Sequence, residues 1–119
     1  MLLAAVAVLP IGCGSEKESQ ATSNQLLIQA REAVVAGDTE KAMEALDGSI
    51  ASKPTVWAYF ERARLRLQSG DEQAALRDCE AALQISPEDQ EVLWLKGEIE
   101  KPVDKRFQGE FKNPPSYRK

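Results

Sequence analysis

The sequence predicts an all-α fold, a short helical-repeat array of antiparallel helix pairs, with two pairs followed by one capping helix. Three observations carry this. Of the 119 residues only 6% are aromatic, while Ala, Leu, Glu and Gln are abundant, which favours helix over strand. The chain repeats itself at an offset of 33 residues between Ala30 and Pro87. Each copy is punctuated by Gly-Asp in its middle and Pro at its end, residues that close, cap and terminate helices.

The repeat is read by laying "AREAVVAGDTEKAMEALDGSIASKPT", from Ala30, over "ARLRLQSGDEQAALRDCEAALQISPE", from Ala63. Ala30 falls on Ala63, Gly37-Asp38 on Gly70-Asp71, Ala42 on Ala75, Ile50 on Leu83 and Pro54 on Pro87. Leu46 falls on Cys79 and Ser49 on Ala82. In the second copy, residues 56–69 form an amphipathic helix with Tyr59, Phe60, Ala63 and Leu67 at spacings of three and four. Gly70 accepts the left-handed conformation that closes it, and the Asp71 carboxylate caps the next helix. That helix carries Ala75, Cys79, Ala82 and Leu83 on one face, with Cys79 a buried, inert thiol. A partial third copy, "EVLWLKGEIE", supplies the capping helix over residues 90–101. Such a pair cannot bury its apolar face alone and must stack on a neighbour. On the pattern alone, an unrelated bundle of four or five helices is the alternative.

These features resemble the tetratricopeptide repeat family over residues 23–101, through Ala63, Gly70-Asp71, Ala75, Ala82 and Pro87, with Ala30, Gly37-Asp38, Ala42 and Pro54 in the weaker copy. The resemblance implies a right-handed array whose first helices line a concave groove. The groove would be lined by Asn24, Leu27, Arg31 and Val34, then Trp57, Phe60, Arg64 and Leu67, then Glu91, Trp94 and Glu98. Aromatics and arginines of this kind suit a protein or peptide partner. The same spacing also allows Phe60 and Leu67 to be core, and Trp57 and Trp94 to pack the ends. The Lys/Asn clamp by which some family members hold acidic chaperone tails is absent, since Leu27, Arg31, Phe60 and Arg64 stand in its places. Arg62 and Arg66 occupy positions where the family commonly has Leu and Tyr, and Ser49 one where it has Ala. The first unit is one residue short near Thr55, and these departures are expected to loosen the packing rather than change the fold.

Ahead of the repeats, residues 2–12 (LLAAVAVLPIG) carry no charge, too short a run to span a bilayer but the length of a signal-peptide apolar region. "LPIGCGS" resembles a bacterial lipoprotein signal. By that resemblance residues 1–12 are the signal peptide, Cys13 is the lipidated first residue, and the chain is exported and anchored in the cell envelope on its periplasmic face. Two departures stand beside it: no Lys or Arg precedes the apolar run, and Pro10 occupies a position the family usually gives to an aliphatic. The alternative is an apolar segment packed on the core, with Cys13 an inert thiol. Residues 13–22 hold no large apolar side chain and read as a flexible tether.

The last stretch, residues 102–119, follows Lys101 and is basic and proline-containing, with Phe107, Phe111 and Tyr117 interspersed. It reads as a solvated tail that folds back, with Phe107 tucked against the capping helix; the alternative is a basic, aromatic segment that binds a polyanion or an acidic lipid surface.

The bulk composition narrows the function. A net charge of −4 with 29% charged residues argues against nucleic acid as a partner. There is no His, and the two cysteines make neither a zinc site nor a disulfide framework, so no metal, no cofactor and no catalysis are expected. The expected function is a non-catalytic protein-interaction module acting as an adaptor or assembly factor. The alternative is a passive subunit whose repeat ends pack into a homo-oligomer or larger complex.

Overall fold

In the computed structural model, which describes residues 14–117, five α-helices follow one another: α1 (Gly14–Val35), α2 (Thr39–Ser52), α3 (Val56–Gln68), α4 (Glu72–Ile85) and α5 (Gln90–Glu100). Three single 3-10 turns follow, Val103–Lys105, Gly109–Phe111 and Pro115–Tyr117. The described residues contain no strand. Neighbours in sequence pack on one another, α1 on α2, α2 on α3, α3 on α4 and α4 on α5, and α3 also touches α5. This is the helical-repeat array the sequence predicts.

The two repeats share their turn geometry atom for atom. Gly37 and Gly70 adopt φ of 76° and 83°. In each, the glycine N–H bonds back three residues, to Val34 and Leu67, and the following Asp N–H bonds back five, to Ala33 at 2.9 Å and Arg66 at 2.9 Å. This double closure satisfies carbonyls that the helix end would leave open. Asp38 and Asp71 then cap the next helix, each accepting from the backbone N–H three residues on, at 3.1 Å. Pro54 and Pro87 stand just beyond α2 and α4, where the ladder has ended. Residues 53–55 join α2 to α3, while residues 86–89 join α4 to α5, so the shorter first unit is a shorter connection.

Small residues bring the helices close. Ala30, Ala33, Ala42, Ala45 and Ala58 surround Leu46 and Leu65 in one core cluster, while Ala63, Ala75, Cys79 and Ala82 pack with Val92, Leu95 and Ile99 in a second. Phe60, Leu67 and Trp94 pack against the second cluster without being fully buried.

Two sequence expectations are corrected. Residues 14–22 are the first turns of α1, not a flexible tether. They lack a large apolar side chain, but Ser15–Ala21 contain neither Gly nor Pro, and the buried Ser23 anchors the helix they extend. The departures at Arg62, Arg66 and Ser49 do not loosen the packing, because each is partnered. Arg62 and Arg66 bind the buried Asp78, and Ser49 exchanges hydrogen bonds with the buried Ser23, whose hydroxyl also donates to the Lys53 carbonyl at 3.1 Å. The tail folds back as expected, with Phe107 packed against Trp94 of α5 and Arg106 half-buried beside it. The signal segment and Cys13 lie outside the described residues.

Candidate functional site: a groove on the first helices

The first helices α1, α3 and α5 present a continuous concavity. Its central part is a cavity of about 500 Å³ lined by Arg31, Trp57, Phe60, Glu61, Arg64 and Glu91, among others. Next to it lies an almost wholly apolar cavity of about 230 Å³, walled by Leu27, Ala30, Val34, Val35 and Leu46, with Arg31, Trp57 and Glu61 shared between the two.

Helical spacing explains the centre. Trp57, Phe60, Glu61 and Arg64 sit three and four apart on α3, so they form one stripe. The indole of Trp57 and the ring of Phe60 meet edge to face at 6.5 Å. From α1, the Arg31 guanidinium lies 4.2 Å over the Trp57 ring, and Arg64 lies 5.8 Å over Phe60. Arg64 Nη1 donates to Glu61 Oε1 at 3.2 Å. Burial pushes the Glu61 carboxyl above its ordinary range, against the opposing pull of Arg64 and Arg31. The site is an aromatic floor under two stacked guanidiniums, with a partly desolvated carboxylate between them.

Not every residue expected in the groove contributes to an open surface. Leu27, Arg31, Val34, Trp57, Phe60 and Arg64 line the two cavities. Asn24 lies beyond them on the exposed side of α1, accepting from Gln20 Nε2 at 2.9 Å. Trp94 lies under the chain's own tail: Nε1 donates to the Phe111 carbonyl at 3.0 Å, and its ring meets Phe107 at 5.6 Å. Glu98 is 2% exposed and binds Lys101 Nζ and the Phe107 N–H, so it holds the tail rather than a partner. Tail residues Pro114, Ser116 and Tyr117 form a wall of the central cavity, which composition could not foretell. Glu61 was legible from its place in the stripe, four residues after Trp57.

Away from the groove, the described residues hold no cluster of His, Cys, Asp or Glu able to bind a metal. Burial pushes the Cys79 thiol up to about 12, with Asp78 beside it adding to the effect, so it is not a nucleophile. No helix among the described residues is long and apolar enough to cross a membrane.

Fold and groove together define a helical-repeat array with a concave groove across its first helices. In sequence, the chain is similar to a stretch of sperm-associated antigen 1. It is 34% identical to the Rattus norvegicus and Mus musculus proteins, and 33% to the Homo sapiens protein, over 73 residues in each case. The match covers 61% of this chain but only 8% of the length of each relative. No protein-family model and no solved structure matches the chain.

Proposed function

We propose that this protein is a non-catalytic interaction module of the tetratricopeptide type that binds an extended peptide segment of a partner protein along the α1–α3 groove. One observation carries the reading: Trp57 is 39% exposed at the junction of an apolar cavity and a charged one, with Arg31 stacked on it. Exposed tryptophan and arginine side by side in a concave, half-apolar surface are the residues that concentrate binding energy. The likeness to part of sperm-associated antigen 1 supports an interaction role in general.

The test is to select linear peptides from a displayed library against the whole chain and measure their affinity for Trp57→Ala and Arg31→Ala. Removing the tryptophan should weaken selected peptides about tenfold or more, in line with aromatic anchors elsewhere. Selected peptides indifferent to both substitutions, or no selection at all, would exclude this groove as the peptide site.

The lipoprotein-like segment supports a second part of the proposal, that Cys13 carries a lipid and holds the module at an envelope membrane as an adaptor or assembly factor. Labelling with a radioactive fatty acid in a bacterial host should give a labelled chain, and Cys13→Ser should lose the label. An unlabelled wild-type chain would remove the anchor and leave the groove reading intact.

A further inference from the structure

The tail divides into two unlike parts. The proximal part is locked. Arg106 donates to Glu72 at 2.7 and 3.1 Å, to the Ile99 carbonyl at 2.7 Å and to the Lys101 carbonyl at 2.9 Å. Two of these acceptors are carbonyls at the end of α5, so Arg106 closes that helix as a cap would. Phe107 takes φ of 54°, an unfavourable region for a bulky side chain, and is kept there by its N–H on Glu98 at 2.6 Å and its ring on Trp94.

The distal part, residues 109–117, is laid on the array and not built into it. None of its side chains is buried, and Phe111 and Tyr117 are 42% and 75% exposed. What binds it to α5 is the kind of contact a groove makes with a foreign peptide. The Trp94 indole donates to a backbone carbonyl, Glu91 Oε1 accepts the Ser116 N–H at 2.7 Å, and Lys101 lies 4.7 Å over the Phe111 ring. The segment runs through two 3-10 turns joined at Pro114 and Pro115, and its prolines make ordering it cost less than ordering an ordinary loop. Its far end reaches Glu91, and Tyr117 lines the central cavity of the proposed site together with Phe60 and Trp57.

We propose that residues 109–117 are an internal ligand occupying the α5 end of the groove, displaced when a proline-containing partner segment with an aromatic residue binds there. The proposal rests on the peptide-groove reading and adds its regulation and the chemistry of its partner. A tethered occupant acts at an effective concentration in the millimolar range, which masks the site from weak ligands and leaves it open to strong ones. The anchor at Arg106 and Phe107 keeps the displaced segment within reach, so masking returns when the partner leaves.

The experiment uses the full chain in a Cys13→Ser background, with a fluorescein-labelled peptide of residues 109–119, GEFKNPPSYRK, as the probe. Ser116→Pro deletes the N–H that Glu91 accepts and leaves every helix of the groove unchanged. Glu91→Cys with Ser116→Cys, bridged by a short bismaleimide, fastens the segment down. Ser116→Pro should bind the probe about tenfold more tightly than the unsubstituted chain, because a weaker tether competes less. The bridged chain should bind several-fold more weakly than the same chain unbridged. Equal binding by bridged and unbridged chains, or no binding by any of the chains, would overturn the proposal. Library peptides that need Trp57 but ignore the bridge would overturn it too, while leaving the groove reading in place.

Discussion

Arg62 and Asp78 form the tightest polar contact between α3 and α4, with Nη2 2.7 Å from Oδ1 and Nε 3.1 Å from Oδ2. Arg66 Nη1 takes the second carboxylate oxygen at 2.9 Å, and Arg62 Nη1 reaches on to Asp47 of α2. One carboxylate, 3% exposed at its side chain, therefore ties three consecutive helices together through two arginines. Removing it leaves two guanidiniums facing each other in a half-buried seam. Asp78→Ala should lose about 3 kcal/mol, the lower end for breaking a buried pair, since the arginines keep some solvent. Asp47, 56% exposed, should cost less than about 1 kcal/mol as Asp47→Ala. Urea denaturation of both variants checks the ranking. The triple replacement Arg62→Leu, Arg66→Tyr, Asp78→Ala should recover most of the loss, because an apolar seam of similar volume needs no partner.

This seam marks the limit of what could be read from the sequence. Helix order, the Gly-Asp turns, the capping residues and the core alanines were legible because they follow from φ, capping and 3.6-residue spacing, all local in sequence. Arg62 and Arg66 looked like loosening departures because their compensation sits 16 and 12 residues away on α4, at a position the pattern leaves to any residue. Ser49 likewise needs Ser23, 26 residues earlier. In the groove, the α3 stripe was legible for the same local reason. The covering of Trp94 was not, since it depends on where a proline-containing segment returns after leaving α5. Residues 14–22 were misread because composition reports what a segment can bury, and this one extends a helix that is anchored further along.

Ser23 and Ser49 should behave as a coupled unit. Their hydroxyls lie 2.9 Å apart, and each also bonds a carbonyl of the other helix or the connection after it. Ser23→Ala and Ser49→Ala should each cost about 1 kcal/mol, the usual net worth of a hydrogen bond whose partner keeps another contact. The double variant should cost less than the sum, since the second substitution has no hydroxyl partner left to orphan. Thermal melts of the four chains give the coupling directly; strict additivity would show that the two hydroxyls act separately.

Cys79 is fully buried on α4, with its thiol pushed up to about 12 by burial first and by Asp78 second. The native chain should therefore leave it unmodified by Ellman's reagent at pH 8, in a Cys13→Ser background, while the urea-unfolded chain reacts within minutes. The modification rate should follow the unfolding equilibrium, and Asp78→Ala should speed it chiefly through lost stability. Fast labelling of the folded wild type would contradict the packing of α4 on α3 and α5.

The anchor of the tail carries a pH dependence whose sign is set by Glu72. Hydrogen bonding from Arg106, aided by its positive charge, holds the Glu72 carboxyl below its ordinary 4.5. A carboxyl lowered in the folded chain contributes stability that is complete above its unfolded value and lost as pH falls through the folded one. The anchor should thus be intact at pH 6 and weaken progressively below about pH 4.5, once Glu72 begins to take up a proton. Hydrogen exchange at the Arg106 Nε–H and at the Phe107 amide reports the opening, after correction for the intrinsic pH dependence of exchange. Protection should fall with acid in the wild type. In Glu72→Gln it should start lower and change less over the same range. Protection that is high and pH-independent in both chains would mean that the Ile99 and Lys101 carbonyls hold Arg106 without the carboxylate.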